Sequence, residues 1–308
     1  MNLEFKPVEA ADMKNLATYY FKRPNKTCDS VFLDSFLWRK YYKVRVAVSE
    51  GRAIQWLMED GGVMYSAMPI CSEEDLPRYF NEMVEYFNNV LKCPLRIYLA
   101  DEEAVEYLHL KESGDFIVTE QEDLKDYLYD GDALRSLSGR KLHKKKNHLN
   151  AFLKDYEGRY EFRRLCCSDR GDVWRFLDRW REQKGENVEV HLDYEVEGVH
   201  EILKSCSYLD VHMAGVYIDG ALEAFTIGSY NPFEDMAIIH IEKANPEIRG
   251  LYQFINRQFL LSEFPNVRLV NREDDLGEEG LRKAKMSYNP CGFARKYLVE
   301  QSNFKPEA

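Results

Sequence analysis

The sequence predicts an α+β protein assembled from two copies of one module, and three observations predict it. The 308 residues exceed what one compact core usually encloses. Apolar residues make up 45% and charged residues 31%, a globular mixture rather than a disordered or fibrous one. One order of elements (helix, helix, three-strand meander, helix, strand, helix, strand) can be read twice along the chain.

The first copy opens with helical periodicity over residues 7–20 and 30–41. Extended segments follow at 43–49, 53–58 and 63–67, cut by the turn formers Glu50-Gly51 and Asp60-Gly61-Gly62. Ser72-Glu73-Glu74-Asp75 sets a capping pattern for a helix reaching about residue 91. A strand at 95–99, a helix at 101–110 and an extended piece at 116–119 close this copy. The second copy has helices at 169–183 and 193–206 and strands at 211–218, 221–230 and 236–242, with a hairpin turn at Asp219-Gly220. A helix at 251–263, a strand at 267–271, a helix at 278–287 and an extended piece at 293–299 complete it. Residues 120–165 read as the connection. The division expected is a scaffold domain, 1–125, and a working domain, 126–308, with a basic helix, 138–156, at the junction.

Several function classes lose their anchors. No phosphate-binding GxxxxGK[ST] loop, GxGxxG fingerprint or GxSxG elbow occurs, and no histidine pair sits at metal-binding spacing on a helix face. A bound metal is therefore not expected. The seven cysteines are scattered with no CxxC pair, and read as reduced thiols filling core space. No apolar run approaches the roughly 20 residues of a membrane span, and the first residues lack a signal-peptide pattern, so the expectation is a cytoplasmic protein without integral membrane association.

The succession of elements is that of the GCN5-related N-acyltransferase fold, in which a meander feeds a helix whose N-terminus receives donor phosphates. Such a helix start needs free N–H groups, a glycine for close approach and no competing acid. The second copy offers Glu242-Lys243-Ala244-Asn245 leading to Arg249-Gly250, whereas the first offers Ser72-Glu73-Glu74-Asp75, which repels an anion. The second copy is thus expected to be the working one. Taken alone, a plain turn with an exposed arginine is the simpler account of Arg249-Gly250.

Charge is sorted along the connection. Residues 101–137 carry 12 acids and 3 bases, and residues 138–165 carry 9 bases and 3 acids. The basic stretch holds Arg140, Lys141, Lys144, Lys145 and Asn147 on a helix whose apolar arc is Leu142, Leu149, Phe152 and Leu153. Lys145 falls inside that arc. Either it lays its stem over the core and sends its ammonium outward, or it faces a cleft that takes a polyanion. A second cluster, Arg272-Glu273-Asp274-Asp275, crowds four charges at a strand end, where side chains project into a cleft. Lys285 and Tyr288 follow on the next helix, with Arg282 beside them.

At these segments the sequence resembles a bacterial group designated DUF2156, similar to the C-terminal catalytic domain of lysylphosphatidylglycerol synthases. The basic run from Gly139 to His148, the turn from Glu242 to Gly250, and the stretch from Asn271 to Lys285 carry the resemblance. It implies two tandem N-acyltransferase-like domains related to Fem-type peptidyltransferases. The implied activity is direct transfer of an aminoacyl group from aminoacyl-tRNA, or of an acyl group from acyl-CoA, onto an amine or hydroxyl of a small molecule, peptide or lipid headgroup, with no tightly bound cofactor. The alternative is a non-catalytic nucleotide- or tRNA-binding module of the same fold. In the transfer reading, Arg140, Lys141, Lys144, Lys145, Asn147, Asn245, Arg249 and Gly250 meet donor phosphates. Glu242 is the expected base, Tyr288 the acid, and Lys285 a further catalytic group. Arg272, Glu273, Asp274, Asp275 and Arg282 form the substrate-binding set.

Overall fold

The computed structural model describes residues 3–184 and 190–305. The first module begins with a short edge strand, β1 (Lys6–Pro7), and a broken helical segment around α1 (Met13–Leu16) where one helix is predicted. The Asp12 carboxylate accepts the Glu9 N–H at 2.9 Å and pairs with Lys6, a capping box that starts the helical run at Ala10. Next come α2 (Phe32–Leu37), the antiparallel meander β2 (Arg45–Ser49), β3 (Ala53–Asp60) and β4 (Val63–Tyr65), and α3 (Leu76–Glu85), which continues as a π-helical turn through Leu91. β5 (Arg96–Asp101), α4 (Glu102–Tyr107) and β6 (Phe116–Glu120) complete the order read from sequence.

The connection is not bare. It holds β7 (Asp126–Asp130), α5 (Gly131–Ser136), the basic α6 (His143–Asp155) and β8 (Tyr160–Arg164). The second module then supplies α7 (Arg170–Lys184), α8 (Val190–Ser205), the meander β9 (His212–Ile218), β10 (Ala221–Asn231) and β11 (Met236–Ala244), then α9 (Leu251–Glu263), β12 (Leu269–Asn271) and α10 (Glu279–Met286). The last extended piece divides into β13 (Gly292–Ala294) and β14 (Lys296–Gln301), which enter different sheets.

The sheets show why. In the seven-stranded sheet, β7 lies between β12 and β13; in the three-stranded sheet, β14 lies between β5 and β6. The strand that follows β6 in the chain completes the second module, and the strand that follows β13 completes the first. The modules exchange strands reciprocally, both inserts pairing antiparallel on each side. The 125/126 division lies at the first of these crossings, and β14 returns across it.

One apolar core continues across both modules, joining Phe32, Phe36 and Leu37 of α2 to Val173, Val199, Phe225 and Ile227. Gly198 of α8 lies so close to α2 that a Cβ there would meet the Leu37 carbonyl at 2.5 Å. A second core packs α5, α6 and α9 on the other face of the large sheet, and a third, which includes Tyr297 and Val299 of β14, fills the first module.

The expectation of reduced, core-filling cysteines needs correction. Cys167 and Cys206 form a disulfide at a Cα–Cα distance of 6.0 Å, because α7 and α8 fold back as a hairpin and bring its two ends together. Cys166 and Cys291 are exposed thiols, while Cys28 and Cys71 are buried ones.

Candidate active site

β11 and β12 pair in parallel over only three positions, the last being Ile238 with Asn271. Beyond that point they diverge. On its other edge β11 carries an irregularity: Ile227 faces Ile241 and Gly228 faces Ile239, which leaves His240 as an extra, bulged residue. The gap between the diverging strands opens into a cavity of about 1380 Å³ between the modules. Residues 239–243 line it from β11, Arg272, Glu273 and Asp274 from the end of β12, and Lys285 and Tyr288 from α10 and its C-terminal turn. α6 contributes Lys145. The first module, expected to be a scaffold, contributes much of the opposite wall, including Asp29, Asp34, Trp38, Tyr42 and Tyr98.

One wall is cationic. Arg272 is nearly buried, gives Nη2 to Glu242 at 2.8 Å and leaves Nη1 without a hydrogen-bond partner. Its guanidinium lies 4.8 Å from the centre of the Tyr288 ring, and the Lys145 ammonium lies 4.2 Å from the same ring. Burial first, and then Arg272, lowers the Lys145 pKa, so its proton is held less tightly than on a surface lysine. Burial also raises the Tyr288 phenol, which keeps its proton at neutral pH. Of the two readings of Lys145, the cleft-facing one matches its position.

The other expected catalytic groups are in place with defined partners. Glu242 lines the cavity, but Arg272 and Asn256 donate to its two oxygens, both at 2.8 Å, so it anchors Arg272 instead of standing free as a proton acceptor. The Lys285 ammonium donates to the backbone carbonyls of Arg272, at 2.6 Å, and of Asp274. It holds the loop that presents Arg272, Glu273 and Asp274, in which Glu273 has a left-handed φ of 56°.

The cavity floor is acidic. Asp29, Asp34, Asp126, Glu273 and Asp274 surround the buried Lys296 of β14, whose ammonium lies 2.7 Å from Asp126, 3.1 Å from Cys28 Sγ, 3.6 Å from Asp29 and 3.9 Å from Asp274. Burial opposes the Lys296 charge, yet Asp126 and the neighbouring groups hold its pKa above the ordinary value. Burial and like charges raise the carboxyl pKa of Asp34 and of Glu273 well above the usual range. His240 accepts or donates at both ring nitrogens, to Ser229 at 2.7 Å and Glu273 at 2.8 Å, and burial takes its pKa down to about 4. One ligand-type atom each from Asp34, His240 and Glu273 lies within 4.8 Å of the others, but a metal ion would have to displace one of the two hydrogen bonds of the imidazole.

Other expected residues lie elsewhere. Arg140 and Lys141, in the turn that precedes α6, and Lys144 and Asn147, on α6, are exposed and do not line the cavity. Asp275 and Arg282 pair with each other at 2.8 Å beside Asp123 and Tyr127, so Asp275 does not reach a substrate ammonium. At the phosphate seat expected at Asn245, Arg249 and Gly250, α6 packs against the glycine, while Tyr252 and Gln253 at the start of α9 line the cavity. A Cβ on Gly250 would meet the His148 carbonyl of α6 at 2.0 Å, and the N–H groups of Asn245, Ile248 and Leu251 are spent on carbonyls nearby. Sequence reasoning missed Asp29, Asp34, His240 and Lys296 because each falls on an ordinary helix, turn or strand position, and only the fold brings them together.

A double N-acyltransferase-like fold with an inter-strand cavity between its modules defines a class, the tandem acyltransferase-type proteins. Within that class the chain belongs to the family described as phosphatidylglycerol lysyltransferase, C-terminal, whose model matches residues 22–300. It is similar to an uncharacterised protein of Mycoplasmoides gallisepticum, 26% identical over 208 residues; the match covers 66% of this chain and 65% of that relative's length. A conserved protein of unknown function from Bacteroides thetaiotaomicron has the same fold, with a TM-score of 0.90 and 25% identity over 98% of this chain and 100% of that one. The L-PGS structure from Bacillus licheniformis superposes with a TM-score of 0.70 at 15% identity, covering 99% of this chain and 95% of its own, a likeness of fold. Among the described residues no helix is long and apolar enough to cross a membrane.

Proposed function

We propose that the protein transfers an aminoacyl group from aminoacyl-tRNA directly onto an amine or hydroxyl acceptor inside the inter-module cavity. Aminoacyl transfer is the broad activity that the family description supports. The observation that carries the donor assignment is the placement of α6: its outer bases are exposed to a polyanion, while Lys145 alone turns inward to meet Arg272 over Tyr288. A basic surface that leads to a pair of buried cations suits a long phosphodiester chain whose reactive end enters an enclosed site.

In this reading the Lys145 ammonium and the unpartnered Arg272 Nη1 stabilise the oxyanion that develops on the ester carbonyl. Tyr288 gives its proton to the departing ribose oxygen. Glu242 and Lys285 act as positioning residues, one fixing Arg272 and the other its loop.

Transfer of labelled aminoacyl groups from a charged tRNA pool to an acceptor panel tests the proposal. Lys145→Ala is expected to lower transfer about a hundredfold, with the melting temperature unchanged. Wild-type turnover in both Lys145→Ala and Lys285→Ala would discard the scheme.

A further inference from the structure

We infer that the end of the cavity built by the first module is the acceptor subsite, and that the acceptor it takes is a primary amine on an apolar stem, bound as its ammonium. This assignment deepens the transfer reading and rests on it. It starts from an unmet electrostatic demand. Asp34 is 6% exposed and faces the cavity, and Glu273 lies beside it. Among the described residues, neither has a lysine or arginine nitrogen within 4.0 Å: Lys285 and Lys296 act on Glu273, and Lys296 on Asp34, only from farther off, Asp29 shares a hydrogen bond with Asp34, and the His240 that touches Glu273 is kept neutral at pH 7 by burial. The nearby ammonium groups are committed, that of Lys296 to Asp126 and that of Lys285 to two carbonyls. Buried carboxylates in that state either keep protons or meet a cation from outside.

The walls indicate which cation. Trp38, Tyr42 and Tyr98 of the first module line the same cavity, with the Tyr42 and Tyr98 rings 5.9 Å apart. Aromatic faces attract an organic ammonium and shelter an alkyl stem. An anionic headgroup would instead meet the carboxyl groups of Asp29, Asp34, Glu273 and Asp274. A metal ion at Asp34, His240 and Glu273 lacks a free imidazole nitrogen, and one at Cys28, Asp29 and Asp34 would sit beside the Lys296 ammonium, which lies 3.1 Å from Cys28 Sγ.

The chemistry then balances. The bound ammonium gives one proton to the Glu273 or Asp34 carboxylate, whose raised proton affinity suits it to accept it. The amine nitrogen forms a bond to the ester carbonyl carbon, and the bond from that carbon to the ribose oxygen breaks. A second ammonium proton is lost from the tetrahedral adduct as the ribose oxygen is protonated, leaving an amide, a ribose hydroxyl and one proton in excess.

Calorimetric titration of the full chain with cadaverine and, separately, with glycerol 1-phosphate tests the assignment. Cadaverine is expected to bind the wild type, to bind Asp34→Asn at least about tenfold more weakly, and to remain bound when aminoacyl-tRNA carrying a non-transferable amide linkage is added. Asp29→Asn serves as the second variant should Asp34→Asn fail to fold. Glycerol 1-phosphate binding without cadaverine binding overturns the assignment, as does cadaverine binding that both variants leave unchanged. Displacement of cadaverine by that aminoacyl-tRNA overturns it as well, because the subsite would then hold the donor's own amino group. tRNA affinity, measured on the same proteins, separates the two proposals: cadaverine binding that depends on Asp34 without any tRNA binding supports the subsite and counts against the donor.

Discussion

At the scale of single residues, the motif that stands out in the sequence, Arg272 to Asp275, divides into two jobs. Arg272 and Asp274 face the cavity, whereas Asp275 turns away and locks α10 through Arg282. Burial alone would raise the Asp275 carboxyl, but hydrogen bonds from Arg282, Tyr127 and the Gly277 N–H outweigh it and bring the pKa down to about 2 from an ordinary 3.8. A depressed folded-state pKa means stability that is present above pH 3.8 and is lost as pH falls towards 2. Acid titration of urea stability is expected to show that loss in the wild type and to lack it in Asp275→Asn; parallel curves would refute the assignment. Arg272 and Glu242 form a nearly buried pair, and removing one partner leaves the other charge unpaired. Arg272→Ala should therefore cost about 3 kcal/mol in chemical denaturation. The crowding of charge at residues 272–275 was legible in the sequence; which carboxylate faced the cavity was not, because neighbouring residues diverge where the strand ends.

At the scale of elements, helices and strands with clear periodicity or turn signals were readable, among them α9, β9 and β10. β7 was not. Its Asp-Tyr-Leu-Tyr-Asp sequence lies in an acidic tract that reads as connection, yet its residues are buried between β12 and β13. α6 was legible as a basic helix with an intruding lysine, but not as a lid on the start of α9. That cover depends on Gly250, which has a φ of 85° and no room for a Cβ. Gly250→Ala is expected to cost about 2 kcal/mol and to push α6 outward. Hydrogen exchange should then quicken in residues 143–155, and unchanged protection there would count against the packing described.

At the scale of the whole molecule, the duplicated order of elements could be read from the sequence, but the exchange of strands could not, since β7 and β14 each pair with partners far along the chain. Because β14 fills the centre of β5-β14-β6 and carries Lys296 into the cavity floor, neither module is complete alone. Unfolding in urea should follow one transition by fluorescence and by circular dichroism, and residues 1–125 expressed separately should show no cooperative melt. A sharp melt of that fragment would argue that its sheet closes without β14. The same exchange sets a timetable for biosynthesis. A ribosome must deliver residues 296–301 before the first-made half can finish its sheet, so that half waits with β5 and β6 unjoined, and nascent chains of this protein should lean on holding chaperones until residues 296–301 have been made.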